Sequence, residues 1–215
     1  ITLNIAIPTF AEKLPTLTNI FEFFTDNERN IFDSFSEHAT SIGLTQEDSG
    51  ISITVTDAVY DKENITIAYK IKSEQDLGER PVLLGDIIVD EFGNQYEHSG
   101  YSENYLVKKI DNHEYAVLYV YELISGSKPE TINISWQGDN VRNLNNGSQL
   151  VDGHWDFEFS LQALENSVMN LKSHNIHSLD PGIEISLVKM TQSPISTTIQ
   201  LAEKVDERLI SQEQE

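Results

Sequence analysis

The stretch Gly50-Ile51-Ser52-Ile53-Thr54-Val55-Thr56-Asp57-Ala58-Val59-Tyr60, continued by Asp61-Lys62-Glu63-Asn64 and Ile65-Thr66-Ile67-Ala68-Tyr69-Lys70-Ile71, decides the fold. Ile51, Ile53, Val55 and Val59 alternate with Ser52, Thr54 and Thr56, and Ile65, Ile67, Tyr69 and Ile71 resume the alternation after a polar turn. Successive side chains of a strand point to opposite faces, so a period of two predicts two strands with one buried face each. They are joined as a hairpin or lie in facing sheets.

The same period runs on downstream. Strands are expected at 82–89, 105–110, 114–123, 131–136 and 155–161, separated by turn clusters such as Phe92-Gly93-Asn94, Asp111-Asn112-His113, Ser125-Gly126-Ser127 and Asn145-Asn146-Gly147. Short strands with no helices between them point to an antiparallel β-sandwich. In 114–123, Tyr115, Val117, Tyr119 and Tyr121 share one face and Ala116, Leu118 and Val120 the other, which predicts a central strand. Trp155, Phe157, Phe159 and Leu161 form a purely apolar face that should cover the core.

Upstream, residues 8–47 read as helix and loop punctuated by Pro8 and Pro15. Leu17, Ile20, Phe21 and Phe24 fall at helical spacing, as do Ile31, Phe32 and Phe35 after a cap at Asp26 or Asn27. This Phe-rich stripe reads first as packing against a sheet; the alternative is an exposed docking surface using Phe21 and Phe24, to which Tyr101 and Trp136 would add exposed aromatics. Farther on, Gly182-Ile183-Glu184-Ile185-Ser186-Leu187 echoes Gly50-Ile51-Ser52-Ile53-Thr54-Val55 at an offset of 132 residues, and the same offset pairs Thr198-Ile199 with Thr66-Ile67. The expected organisation is a helical segment at 1–49 packed on a sandwich at 50–163, then the start of a second, partial β-domain at 164–215.

The 215 residues carry 35 acids against 14 bases, a net charge of −21, which excludes a nucleic-acid partner because phosphates would be repelled from nearly every face. With no cysteine there are no disulfides, thiolate metal sites or cysteine nucleophiles. The first apolar run, from Ile1 to Ile7, stops at Pro8, well short of the roughly 20 residues of a spanning helix. Carboxylate pairs such as Asp90/Glu91 and Asp156/Glu158 are expected by chance in so acidic a chain, and convergence across a cleft is what a glycosidase would need. Asp57, Asp61 and Glu63 lack the spaced calcium-loop pattern and read as solvated turns. His174 and His177, three apart, have no third ligand nearby. Three sequon-like triplets begin at Asn64, Asn133 and Asn146. Lys70, Lys72, Lys108 and Lys109 make the nearest approach to a basic patch and read as solubilising an edge. No nucleophile elbow, phosphate loop or zinc-protease motif occurs, so no catalytic residue, metal or cofactor is assigned.

Ile7-Pro8-Thr9-Phe10-Ala11-Glu12-Lys13-Leu14-Pro15, with Ile20-Phe21-Glu22-Phe23, resembles the stretch that follows the single membrane helix in a Gram-positive family of unknown function grouped with anti-sigma-factor-like proteins. The strand pair at 50–61 and 67–73 is similar to that family's opening strands, and Gly153-His154-Trp155-Asp156-Phe157-Glu158-Phe159, Gly182-Ile183-Glu184-Ile185 and Ser193-Pro194-Ile195-Ser196-Thr197 resemble its junction to a second immunoglobulin-like domain. The resemblance implies an immunoglobulin-like sandwich on the outer face of the cell membrane, anchored by a helix upstream of Ile1. Its role would be non-catalytic and sensory or regulatory. Partners would be other envelope or membrane proteins, with a sigma factor reached only through a cytoplasmic segment outside this chain. The second reading is an envelope-binding or adhesion module contacting wall glycans through Tyr101 or Trp136, and the third an acid/base hydrolase.

Overall fold

The computed structural model describes residues 20–24, 33–89, 104–123, 128–170, 175–177 and 183–205. Its strands are β1 (Thr40–Asp48), β2 (Ile51–Tyr60), β3 (Asn64–Ser73), β4 (Pro81–Val89), β5 (Tyr105–Lys109), β6 (Glu114–Glu122), β7 (Thr131–Asn143), β8 (Leu150–Gln162), β9 (Ser167–Asn170), β10 (Asn175–His177), β11 (Ile183–Gln192) and β12 (Thr197–Val205). All ladders are antiparallel. A five-stranded sheet has the order β1-β2-β3-β6-β5, and a three-stranded sheet the order β4-β7-β8. In a C-terminal sheet β11 lies between β12 on one side and β9 and β10 on the other.

Alternation builds the core between the first two sheets. Ile51, Ile53, Val55, Ile65, Ile67, Tyr69 and Ile71 meet Ile132, Ile134, Trp136, Trp155, Phe157 and Leu161 in one buried cluster. Tyr69 and Trp136 stack edge to face at 5.2 Å across the layers, the Leu83 amide donates to the Tyr69 hydroxyl at 3.1 Å, and the Trp155 indole donates to the Ile51 carbonyl at 3.1 Å. Tyr69 and Trp155 thus each bury a ring and satisfy its polar handle across the layers. The expected central position of β6 is observed: its tyrosines face the core while Ala116 and Leu118 face outward beneath a second cluster.

A bulge corrects one part of the sequence reading. Val55 pairs with Tyr69 but Asp57 with Ala68, so Thr56 is the extra residue. Its hydroxyl donates to the Ala68 carbonyl at 3.1 Å. The bulge resets the alternation, so Ala58 and Tyr60, rather than Val59, join Ile51 in the core cluster. Residues 40–48, read as helix or loop, are instead the edge strand β1, in which a second register shift spans Gly43 at φ +69°. β7 and β8 are also longer than expected, 13 residues each.

The Phe-rich segment caps the outer face of the five-stranded sheet. A 3-10 turn (Ile20–Phe24) and a short helix α1 (Asp33–His38) set Ile20, Phe21, Phe23, Phe24 and Phe35 over Ala68, Ala116 and Leu118. The two alanines leave the room that the rings fill, Phe21 and Phe35 stack at 5.9 Å, and the Lys70 ammonium lies 5.5 Å from the Phe23 ring centroid. Ile31 and Phe32 lie outside the described residues.

The echo at 132 residues extends to backbone pairing. Every β2–β3 pair has a β11–β12 counterpart at that offset, from Ile51↔Ser73 and Ile183↔Val205 to Tyr60↔Ile65 and Gln192↔Thr197. The bulge recurs too, at Thr56 and at Val188. As β1 lines the outer edge of β2, so β9 and β10 line that of β11. The C-terminal sheet therefore repeats the β1-β2-β3 meander.

Candidate functional site

The repeat brings two equivalent turns face to face. Asp61 opens the β2–β3 turn, where Lys62 takes φ +69°, and Ser193 stands 132 residues later at the start of the β11–β12 turn. The Asp61 carboxylate is 0% exposed. One oxygen, Oδ1, accepts the amides of Glu63 at 3.0 Å and Asn64 at 2.6 Å, which closes its own turn. The other, Oδ2, accepts the Ser193 hydroxyl at 3.1 Å and the Ser196 hydroxyl. Ser193 Oγ in turn accepts the amides of Ile195 and Ser196, fixing the opposite turn. A buried carboxylate with four donors on two turns is satisfied: removing the donors leaves an expensive unpaired charge, and removing the carboxylate leaves the donors without their acceptor.

Glu63 extends the corner. Its two oxygens receive the ammonium of Lys128 and, at 3.2 Å, that of Lys189 from β11. Burial pushes the Glu63 carboxyl up, but the bonds from Lys128, Lys189 and Thr191 outweigh it and hold the group below the ordinary carboxylate range. The Asn166 side-chain amide donates to the Asp61 carbonyl at 3.3 Å, and the Leu164 backbone amide to the Tyr60 carbonyl at 2.8 Å, where Ala163 bridges in parallel to Tyr60. A cleft of about 170 Å³ between Glu63, Glu122, Lys128, Lys189, Thr191 and Thr198 marks the seam. Asp61 and Glu63, read as solvated turn residues, are buried because the neighbouring turn covers them. The signal that would have found them is the offset itself, since Asp61 and Ser193 are related by it.

A larger, open groove of about 950 Å³ lies at the other end of the β2–β3 hairpin, lined by Glu47, Asp48, Ser49, Lys72, Glu74 and His113 among others. The His113 ring nitrogen Nδ1 lies 3.0 Å from the Ser73 carbonyl, and the amide of His154 donates to Asp48, drawing its carboxyl below the ordinary range. Behind it, Asp76 binds Lys109, the Gly78 amide and the Tyr115 hydroxyl, and its carboxyl falls to about 2. These groups tie loops to the sheet. Among the described residues no three histidines or carboxylates converge as a metal site.

For Phe21 the first reading, packing against a sheet, is the observed one, and the expected exposure of Trp136 is corrected. Trp136 is 1% and Phe21 3% exposed, one in the sandwich core and the other under the cap, because both fall on faces that another layer covers. Phe24 is half-buried against the same cap, and Tyr101 lies outside the described residues. Phe21, Phe24 and Trp136 do not form one exposed surface. Asp156 and Glu158 stand exposed on the polar face of β8, whereas Asp90, Glu91 and His174 lie outside the described residues. Lys70 reaches Glu114 at 3.5 Å, and Lys109 reaches Asp76 and Glu79.

The apolar surface that is exposed lies on the C-terminal sheet. Met169, Met190, Ile199, Leu187 and Leu201 share one face by register, with Met169, Ile199 and Leu201 more than half exposed. By the offset, Leu187, Met190, Ile199 and Leu201 are the counterparts of Val55, Ala58, Ile67 and Tyr69 in the sandwich core.

Sheets and corner together define a mainly β, antiparallel protein with a sandwich and a tip-linked repeat of its first three strands. Residues 1–73 match the model of a family described as a domain of unknown function, DUF4179. A solved structure described as that of the conserved domain protein from Bacillus anthracis shares the fold, with a TM-score of 0.72 and 22% identity over 92% of this chain. The chain spans 66% of the length of that solved chain. No curated protein matches.

Proposed function

We propose that the chain is the extracytoplasmic, non-catalytic sensory or regulatory region of a single-pass bacterial membrane protein of the anti-sigma-factor-like kind. The observation that carries the reading is the corner: a buried polar arrangement joins two β-units, which suits relay between modules. The likeness of residues 7–15 and 20–23 to the segment after a membrane helix supports the location, and the DUF4179 match covers the same residues. No described helix is long and apolar enough to cross a membrane; in this reading the anchor lies upstream of Ile1.

We read the sandwich as immunoglobulin-like. The order β2-β3-β6-β5 facing β4-β7-β8 corresponds to the A-B-E-D and C-F-G order of constant-type domains, with β1 added outside the first strand. The repeated meander at β9 to β12 is then the opening of a second unit of the same kind.

The test is a pair of reporter fusions to the chain with its native upstream coding region, one to alkaline phosphatase and one to β-galactosidase. Phosphatase activity in the membrane fraction without β-galactosidase activity is expected. Active β-galactosidase, or a product released after cleavage just before Ile1, would overturn the reading.

A further inference from the structure

We infer that the Asp61 corner is a releasable latch that sets the angle between the sandwich and the C-terminal sheet. Neither apolar cluster of the described residues includes a side chain from β9 to β12. The contact between the units is instead directional and polar. Asp61 takes two hydroxyls from the opposite turn, Glu63 takes Lys189 from β11, and Asn166 grips the Asp61 carbonyl from the connecting segment.

Apolar interfaces tolerate sliding, because burial is non-directional. A buried carboxylate does not, because its worth depends on each donor staying in place. The corner therefore has one closed arrangement, and losing the charge or the hydroxyls frees the C-terminal sheet to pivot about residues 163–166. Neither unit's own ladder needs the latch: the β2–β3 turn keeps its Asp61–Asn64 backbone bond, and the β11–β12 turn its Ser193–Ser196 bond. Release should thus reorient the units without unfolding them. This inference stands apart from the sensory reading, since the reporter fusions could fail with the latch intact.

The chain has no cysteine, so Asp156→Cys and Glu203→Cys, one exposed site on each unit, can be spin-labelled cleanly and their separation read by pulsed dipolar spectroscopy. The otherwise unchanged chain should give one narrow distance distribution. Asp61→Asn, and separately Ser193→Ala with Ser196→Ala, should each widen it at least twofold, with tryptophan emission unchanged because Trp136 and Trp155 lie in the sandwich core. If the serine pair proves necessary for the C-terminal sheet to fold, Asp61→Asn decides alone, because it leaves that sheet's own residues intact. A broad distribution before any latch substitution, or a narrow one at the same distance after Asp61→Asn, would overturn the inference.

Discussion

Asp57 and Asp76 are carboxylates that the fold treats oppositely. Asp57 follows the bulge of β2 half-buried, and desolvation raises its pKa above 3.8. A carboxyl whose folded pKa is raised favours the native state most when protonated, below its unfolded value, and costs stability once pH has risen through the folded pKa. Asp76 has the reverse sign. Held at about 2 by Lys109 first, then by Gly78 and Tyr115, it supports the fold above 3.8 and ceases to as pH falls through about 2. Asp57→Asn should therefore raise Tm at pH 7, by about 2 °C for a chain of this size, and the gain should vanish below pH 3.8. Melting curves of the parent and variant at pH 7 and pH 3 check this; an equal gain at both would mean that charge burial is not the cause.

At the scale of elements, the cap of the 3-10 turn and α1 turns a bare sheet face into a third layer. Phe21 is 3% exposed and touches the patch that Ala68 and Ala116 hollow out. Phe21→Ala should cost about 3 kcal/mol in urea unfolding. The same change should raise binding of an apolar dye, since Ala116 and Leu118 would lose their cover; unchanged stability and dye binding would show that the cap is dispensable. This layer was legible in the helical spacing of Ile20, Phe21 and Phe24, and the β2–β3 hairpin in its alternation, because both bury one continuous face. β1 was not legible. It is an edge strand with only two apolar residues, Ile42 and the exposed Leu44, and its register shift breaks the alternation between Ser41 and Leu44. Val59 was misplaced for the same reason, as a bulge changes phase with no mark in composition. The corner was hidden for a different one: Asp61 and Glu63 are polar turn residues in local sequence, and only pairing with a distant turn buries them.

Across the whole molecule, the duplicated meander has two very different settings. In the sandwich its apolar face is sealed by β4, β7 and β8, whereas in the C-terminal sheet the equivalent face leaves Met169, Ile199 and Leu201 more than half exposed. Hydrophobic stabilisation scales with area removed from water, so the same backbone pairing is worth much less in the second setting. The latch adds directional bonds but little buried apolar surface. The C-terminal sheet should then open at lower free energy than the sandwich, as a separate cooperative unit. The probes divide cleanly, because both tryptophans, Trp136 and Trp155, belong to the sandwich while backbone circular dichroism counts every strand. On heating, the far-ultraviolet signal should begin to fall several degrees before tryptophan emission shifts, and Asp61→Asn should widen the gap by weakening the C-terminal sheet's hold on the sandwich. Superimposable transitions would show instead that the polar corner couples the two units into a single cooperative fold, its few directional bonds outweighing the uncovered face.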